Sequence, residues 1–136
     1  MTEIFVDAGA WIAIADRQDR YHPTATQAYQ GLVRQSRTLV TSNLVIAEAH
    51  IGIRRAIGHA PAMQFLRSVH ESNRLTKLYS DLALEAEAEA ILARYADQDF
   101  SFTDAVSFAL MHQRAITEAF AFDRHFLTAG FSLVPA

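Results

Sequence analysis

Short apolar runs alternate with longer amphipathic stretches along this chain, and that alternation is its strongest constraint. Ile4-Phe5-Val6 has the pattern of a short buried strand and stops at Asp7. Residues 8–15 continue as a small-residue helix carrying Trp11, Ile12 and Ile14. Residues 17–23 break the pattern as a loop. A second helix is expected from about 23, where a proline suits a first turn, to about 36. Residues 38–41 are strand-like, and Thr41 or Ser42 can cap a helix reaching about 57. Gly58-His59-Ala60-Pro61 punctuates the chain before a helix over about 61–72. Residues 74–79 are weakly strand-like, and Asp81 opens a helix rich in Ala and Glu, to about 95. A loop over 97–102, a helix over 103–115 and strands over 118–122 and 131–134 complete the expected elements. Strands that alternate with helices predict an α/β fold, a mainly parallel central sheet with helices on both faces. At 136 residues, the expectation is one domain spanning 1–136.

Composition removes several function classes. Hydrophobic residues make up 51% and charged ones 20%, the balance of a folded chain. Twelve basic residues against 15 acidic give a net charge of −3, so nucleic acid is not held here by bulk positive charge. No cysteine is present, which excludes disulfides, thiolate zinc sites and cysteine nucleophiles. The six histidines form no zinc motif, and no glycine-rich phosphate loop occurs. The first residues lack the basic and apolar regions of a signal peptide, and no apolar run is long enough to span a bilayer. A soluble, cytoplasmic protein is expected.

The 15 acids sort into two kinds. Asp16, Asp19, Asp97, Asp99 and the alternating Glu85, Glu87 and Glu89 lie in polar company and read as solvated surface. Asp7, Glu48, Asp104 and Asp123 lie among apolar neighbours, where an unpaired carboxylate is costly. Singly, Asp7 and Asp123 read as helix caps, and Asp104 as part of a capping box with Ser101. Glu48 has no such explanation, since it falls well inside the third helix on the face of Leu44 and Ile51. Together the four acquire another meaning. In a parallel sheet the carboxyl ends of the strands share one edge, and crevices form there where the strand order switches. Asp7 and Asp123 leave strands at that edge, Asp104 starts a helix there, and Glu48 lies on a helix leaving it. Converging carboxylates repel one another unless a cation intervenes. Oxygen-only donors suit a hard ion, Mg²⁺ or Mn²⁺, and such ions at carboxylate clusters perform phosphoryl chemistry.

The same residues carry a family resemblance. Ile4-Phe5-Val6-Asp7, the segment from Thr41 to Glu48, Phe102-Thr103-Asp104 with the apolar helix behind it, and Phe122-Asp123-Arg124-His125-Phe126 resemble the successive signatures of PIN-domain nucleases. The likeness is to the VapC-type toxin ribonucleases of toxin–antitoxin pairs. It implies a three-layer PIN-like domain and an endoribonuclease that leaves 5′-phosphate and 3′-hydroxyl ends. It assigns catalysis and metal binding to Asp7, Glu48, Asp104 and Asp123, with Mg²⁺ or Mn²⁺ as cofactor. It also implies an RNA substrate, a cognate antitoxin, a homodimer and no membrane partner. Ala8 departs from the pattern, because many relatives place a hydroxyl residue after the first Asp. A structure-specific DNA nuclease and a metal- or RNA-binding adaptor that has lost catalysis are the competing readings. A dehalogenase-type phosphatase fits worse, since Gly9 stands where its second Asp would be.

An acidic protein needs local cations to hold a polyanion. Arg17 and Arg20, in the loop after the first helix, and Arg124, beside Asp123, are the candidate phosphate contacts; the plain alternative is ordinary surface arginine. His112 and His125 fall near the expected site and read as surface residues or as substrate contacts.

Overall fold

In the computed structural model, which describes residues 2–136, every strand pairing is parallel. In chain order the elements are β1 (Glu3–Val6), α1 (Ala8–Ala15), α2 (His22–Arg34), β2 (Thr38–Ser42), α3 (Asn43–Ile57) and α4 (His59–Glu71). They continue with β3 (Leu75–Leu78), α5 (Leu82–Arg94), α6 (Phe102–Gln113), β4 (Glu118–Phe120), α7 (His125–Thr128) and β5 (Ser132–Val134). The sheet order is β3-β2-β1-β4-β5. From β1 the chain builds outward through β2 and β3, then returns to β1's other side with β4. The switch point therefore lies between β1 and β4, the strands that precede Asp7 and Asp123.

Strand alternation divides the apolar side chains between two cores. Phe5 and Val40 face the larger one, with buried residues of α3, α4, α5 and α6. Ile4, Val6, Leu39 and Phe120 face the other, against Ala10 and Ala13 of α1 and Ala25 and Leu32 of α2. Small residues on α1 let it lie close to the sheet. α3 crosses α1 at Gly52, where even a methyl group would meet Ile12.

Local signals explain most boundaries. The Ser42 Oγ accepts from the Val45 amide at 3.1 Å and caps α3. α4 begins two residues before Pro61, whose missing N–H falls in the first turn and leaves no helical bond unmade. Two expectations need correction. β4 stops at Phe120, because Phe122 leaves the sheet to stack on Tyr21. Asp123 stands one residue before the cap position of α7, which is Arg124, although its carboxylate accepts from the first amide of that helix, His125. Among the described residues no helix is long and apolar enough to cross a membrane.

Candidate active site

Asp7 sits where β1 ends, and its amide donates to the Phe120 carbonyl at 3.1 Å, joining the ends of the two central strands. It occupies the N-cap position of α1, yet its side chain makes no capping hydrogen bond. At 7% exposure, its carboxyl is pushed up from 3.8 to about 7. Burial is the main cause, opposed by a hydrogen bond from the Ala8 backbone and reinforced by the carboxylates of Asp104, Glu48 and Asp123. The four acids singled out in the sequence thus act on one another through space. The capping explanation does not account for Asp7.

For Asp104 the capping explanation is correct and incomplete. Ser101 and Asp104 form a reciprocal capping box, with both hydrogen bonds at 3.0 Å. The Asp104 Oδ2 that accepts from the Ser101 amide also lies 3.0 Å from Nδ1 of His125. Asp123, on the exposed turn after β4, accepts from the His125 amide at 2.8 Å through Oδ1, which is also 3.3 Å from the His125 ring nitrogen. One donor atom each from Asp104, Asp123 and His125 fall within 4.8 Å of one another. Glu48 stands at the rim. The residue as a whole is exposed, but its carboxyl is raised above its usual value by partial burial and by Asp104 and Asp123, against a hydrogen bond from Thr103.

The charge balance of this edge is therefore negative, built from hard oxygen donors that repel one another. A divalent cation is the group such a donor set fits; Asp104, Asp123 and His125 have donor atoms close enough together to share one ion, and Asp7 and Glu48 add negative charge beside them.

His125 belongs to the cluster as an inner member, whereas the sequence offered it only as a surface or substrate-contact residue. The signal available was its position two residues after Asp123. His112 is corrected in the other direction. It lies in the last turn of α6 against Phe131, eight residues and about 12 Å along the helix from Asp104.

The arginines differ among themselves. Arg20 lies over the Tyr21 ring at 4.6 Å, and Tyr21 stacks on Phe122 with ring centroids 4.4 Å apart. That stack brings the loop carrying Arg17 and Arg20 to the segment carrying Asp123 and Arg124. Arg17 and Arg124 are exposed, and neither takes part in an ion pair among the described residues.

A five-stranded parallel sheet with acids gathered at its central switch point defines a class of α/β domain. The PIN domain model matches residues 4–132, and the chain belongs to that family. Over 128 residues it is 33% identical to the 23S rRNA-specific endonuclease VapC20 of Mycobacterium tuberculosis, covering 94% of this chain and 95% of that one. The crystal structure of that protein, described as a sarcin-ricin loop cleaving toxin, superposes with a TM-score of 0.87 over the same shares of the two chains. VapBC2 of Rickettsia felis, bound to a promoter DNA fragment, shares the fold at TM-score 0.70 and 11% identity, over 97% of each chain. FitAcB of Neisseria gonorrhoeae does so at 0.64 and 16%, over 96% of this chain and 95% of that one.

Proposed function

We propose that the chain is a divalent-metal-dependent endoribonuclease, the toxin of a type II toxin–antitoxin pair, with structured ribosomal RNA as its substrate class. The observation that carries this reading is the Asp7 carboxyl: buried at the end of the central strand, uncapped, and pressed by three other carboxylates. A buried acid in that setting is destabilising by itself, which is the pattern of a site shaped for a ligand rather than for the fold. Asp7, Asp104 and Asp123 would hold Mg²⁺ or Mn²⁺, with Glu48 as a further carboxylate at the rim. When bound, such an ion would supply water activation and charge compensation for a phosphate held at these carboxylates. The Ser101 amide orients the Asp104 carboxylate, and the strand ends fix Asp7, so the charges that would face a scissile phosphate are set before substrate arrives. Arg17, Arg20 and Arg124 contact flanking phosphates.

The similarity to VapC20 supports ribosomal RNA as the target; a cognate antitoxin as partner and action in the cytoplasm are part of the same proposal. A homodimer is part of the same reading, and exposed Tyr79 and Leu82 are apolar surface available to it.

Cleavage of 23S rRNA, tRNA and single-stranded DNA, assayed side by side with Mg²⁺, Mn²⁺ or EDTA, tests the proposal. The expected result is metal-dependent cutting of rRNA with 5′-phosphate ends. Cutting of DNA alone would make the protein a DNA nuclease, and full activity in EDTA would overturn the mechanism.

A further inference from the structure

We propose that His125 is itself a ligand of the divalent ion, through Nδ1, and that this nitrogen tilts the site's selectivity from Mg²⁺ toward Mn²⁺. The inference rests on the reading that the carboxylates hold a divalent cation, and it adds a donor of different chemistry. An octahedral ion with bonds of about 2.1 Å sets adjacent donors about 3.0 Å apart. The His125 Nδ1 lies 3.0 Å from Asp104 Oδ2 and 3.3 Å from Asp123 Oδ1, the spacing of neighbouring vertices around one ion. The ring is held in that position independently of any metal. Its own amide is tied to Asp123 Oδ1 at 2.8 Å, and its edge packs on Phe100, with centroids 5.3 Å apart and planes at 74°. Little reorganisation is then needed on binding. Nδ1 ligates through its lone pair, with the proton carried on Nε2, so the ion takes the place of the Nδ1 proton shared with Asp104.

The consequence is a change in preference. Mg²⁺ favours an all-oxygen shell with several waters, whereas first-row transition ions accept imidazole readily. A site of carboxylates alone would discriminate less in favour of Mn²⁺.

The test uses the full chain loaded with one equivalent of Mn²⁺ and read by electron spin-echo envelope modulation. The expected spectrum carries directly coordinated histidine ¹⁴N, changes to a ¹⁵N pattern after ¹⁵N-histidine labelling, and loses both in His125→Ala and His125→Gln. Titration should show a loss of Mn²⁺ affinity of about tenfold or more in these variants, and a markedly smaller loss for Mg²⁺. The wild-type spectrum does not depend on whether either variant folds. Mn²⁺ bound with oxygen coupling only, or equal losses for both ions, would overturn the ligand role and leave His125 as a residue that positions Asp104, with the nuclease reading intact. Failure of the wild type to bind Mn²⁺ or Mg²⁺ would overturn both.

Discussion

Tyr21 and Phe122 lie face to face, with centroids 4.4 Å apart and ring planes 8° from parallel, although 101 residues separate them in the chain. One ring ends the loop after α1 and the other begins the turn after β4. The contact therefore couples the candidate phosphate-binding arginines to the segment carrying Asp123 and His125. Arg20 extends the stack on the Tyr21 ring.

RNA affinity should report this arrangement. Arg17→Ala with Arg20→Ala should flatten the dependence of log Kd on log salt by about two units at most, one for each phosphate contact. Metal affinity should barely change. Phe122→Ala should weaken RNA binding through the loss of the stack even though no charge is removed. An unchanged salt slope in the double arginine variant would return these residues to the solvated surface.

Asp104→Asn separates charge from architecture. Asn keeps an oxygen that can accept from the Ser101 amide, so the capping box geometry survives and α6 should lose no more than about 1 kcal/mol. Cleavage should fall by at least about a hundredfold, since a carboxylate is lost where a cation is to be held. Thermal melting beside a cleavage assay distinguishes the two effects. A near-wild-type rate with an unchanged Tm would remove Asp104 from the chemistry.

The Asp7 carboxyl makes metal-free stability depend on pH in a direction unusual for an acid. Its pKa is raised from 3.8 on folding to about 7, so between these values the folded chain binds more protons than the unfolded one. Stability from this group is accordingly greatest at low pH and is lost as pH rises toward and through 7. The full shift corresponds to an upper bound of about 4 kcal/mol. Relaxation around an ionised carboxylate brings the expected effect to about 1–3 kcal/mol. In EDTA, Asp7→Asn should be more stable than wild type at pH 8, with the gap narrowing as pH falls and nearly closed just below 3.8, the unfolded value, by urea denaturation. Saturating Mn²⁺ should erase most of the wild-type slope, because the ion requires the ionised form. Parallel pH profiles for wild type and Asp7→Asn would refute the assignment.

The strand ends were legible because the physics there is local. A short apolar run broken by an acid can be read directly at Ile4–Asp7, and the capping box at Ser101 and Asp104 needs only a three-residue spacing. Glu48 was legible by elimination, as a carboxylate inside a helix with no cap to explain it. The contacts that join these pieces were not, because they are long-range. The Asp104–His125 pair spans 21 residues, and no periodicity encodes it. The end of β4 is hidden in the sequence for the same reason. Phe122 continues an apolar run that looks like strand, and only Tyr21, far away in sequence, draws it out of the sheet.

Gly52 tests whether the crossing of α1 and α3 sets the position of the site. A Cβ added there would lie 2.4 Å from Ile12 Cδ1 and 3.2 Å from Ile12 Cγ1, so the side chain or the helix must shift. Alanine improves helix propensity by up to about 1 kcal/mol, while overpacking opposes it by about 1–3 kcal/mol. Net destabilisation of Gly52→Ala by about 1 kcal/mol is the expected balance, because Cδ1 is the mobile end of Ile12. α1 begins directly after Asp7, so any displacement of that helix should also weaken Mn²⁺ binding. Ile12→Val removes Cδ1 and should recover both properties in the double variant, giving a favourable coupling of about 1 kcal/mol in a double-mutant cycle. Additive effects on stability with unchanged metal affinity throughout would show that the helix crossing is independent of the site.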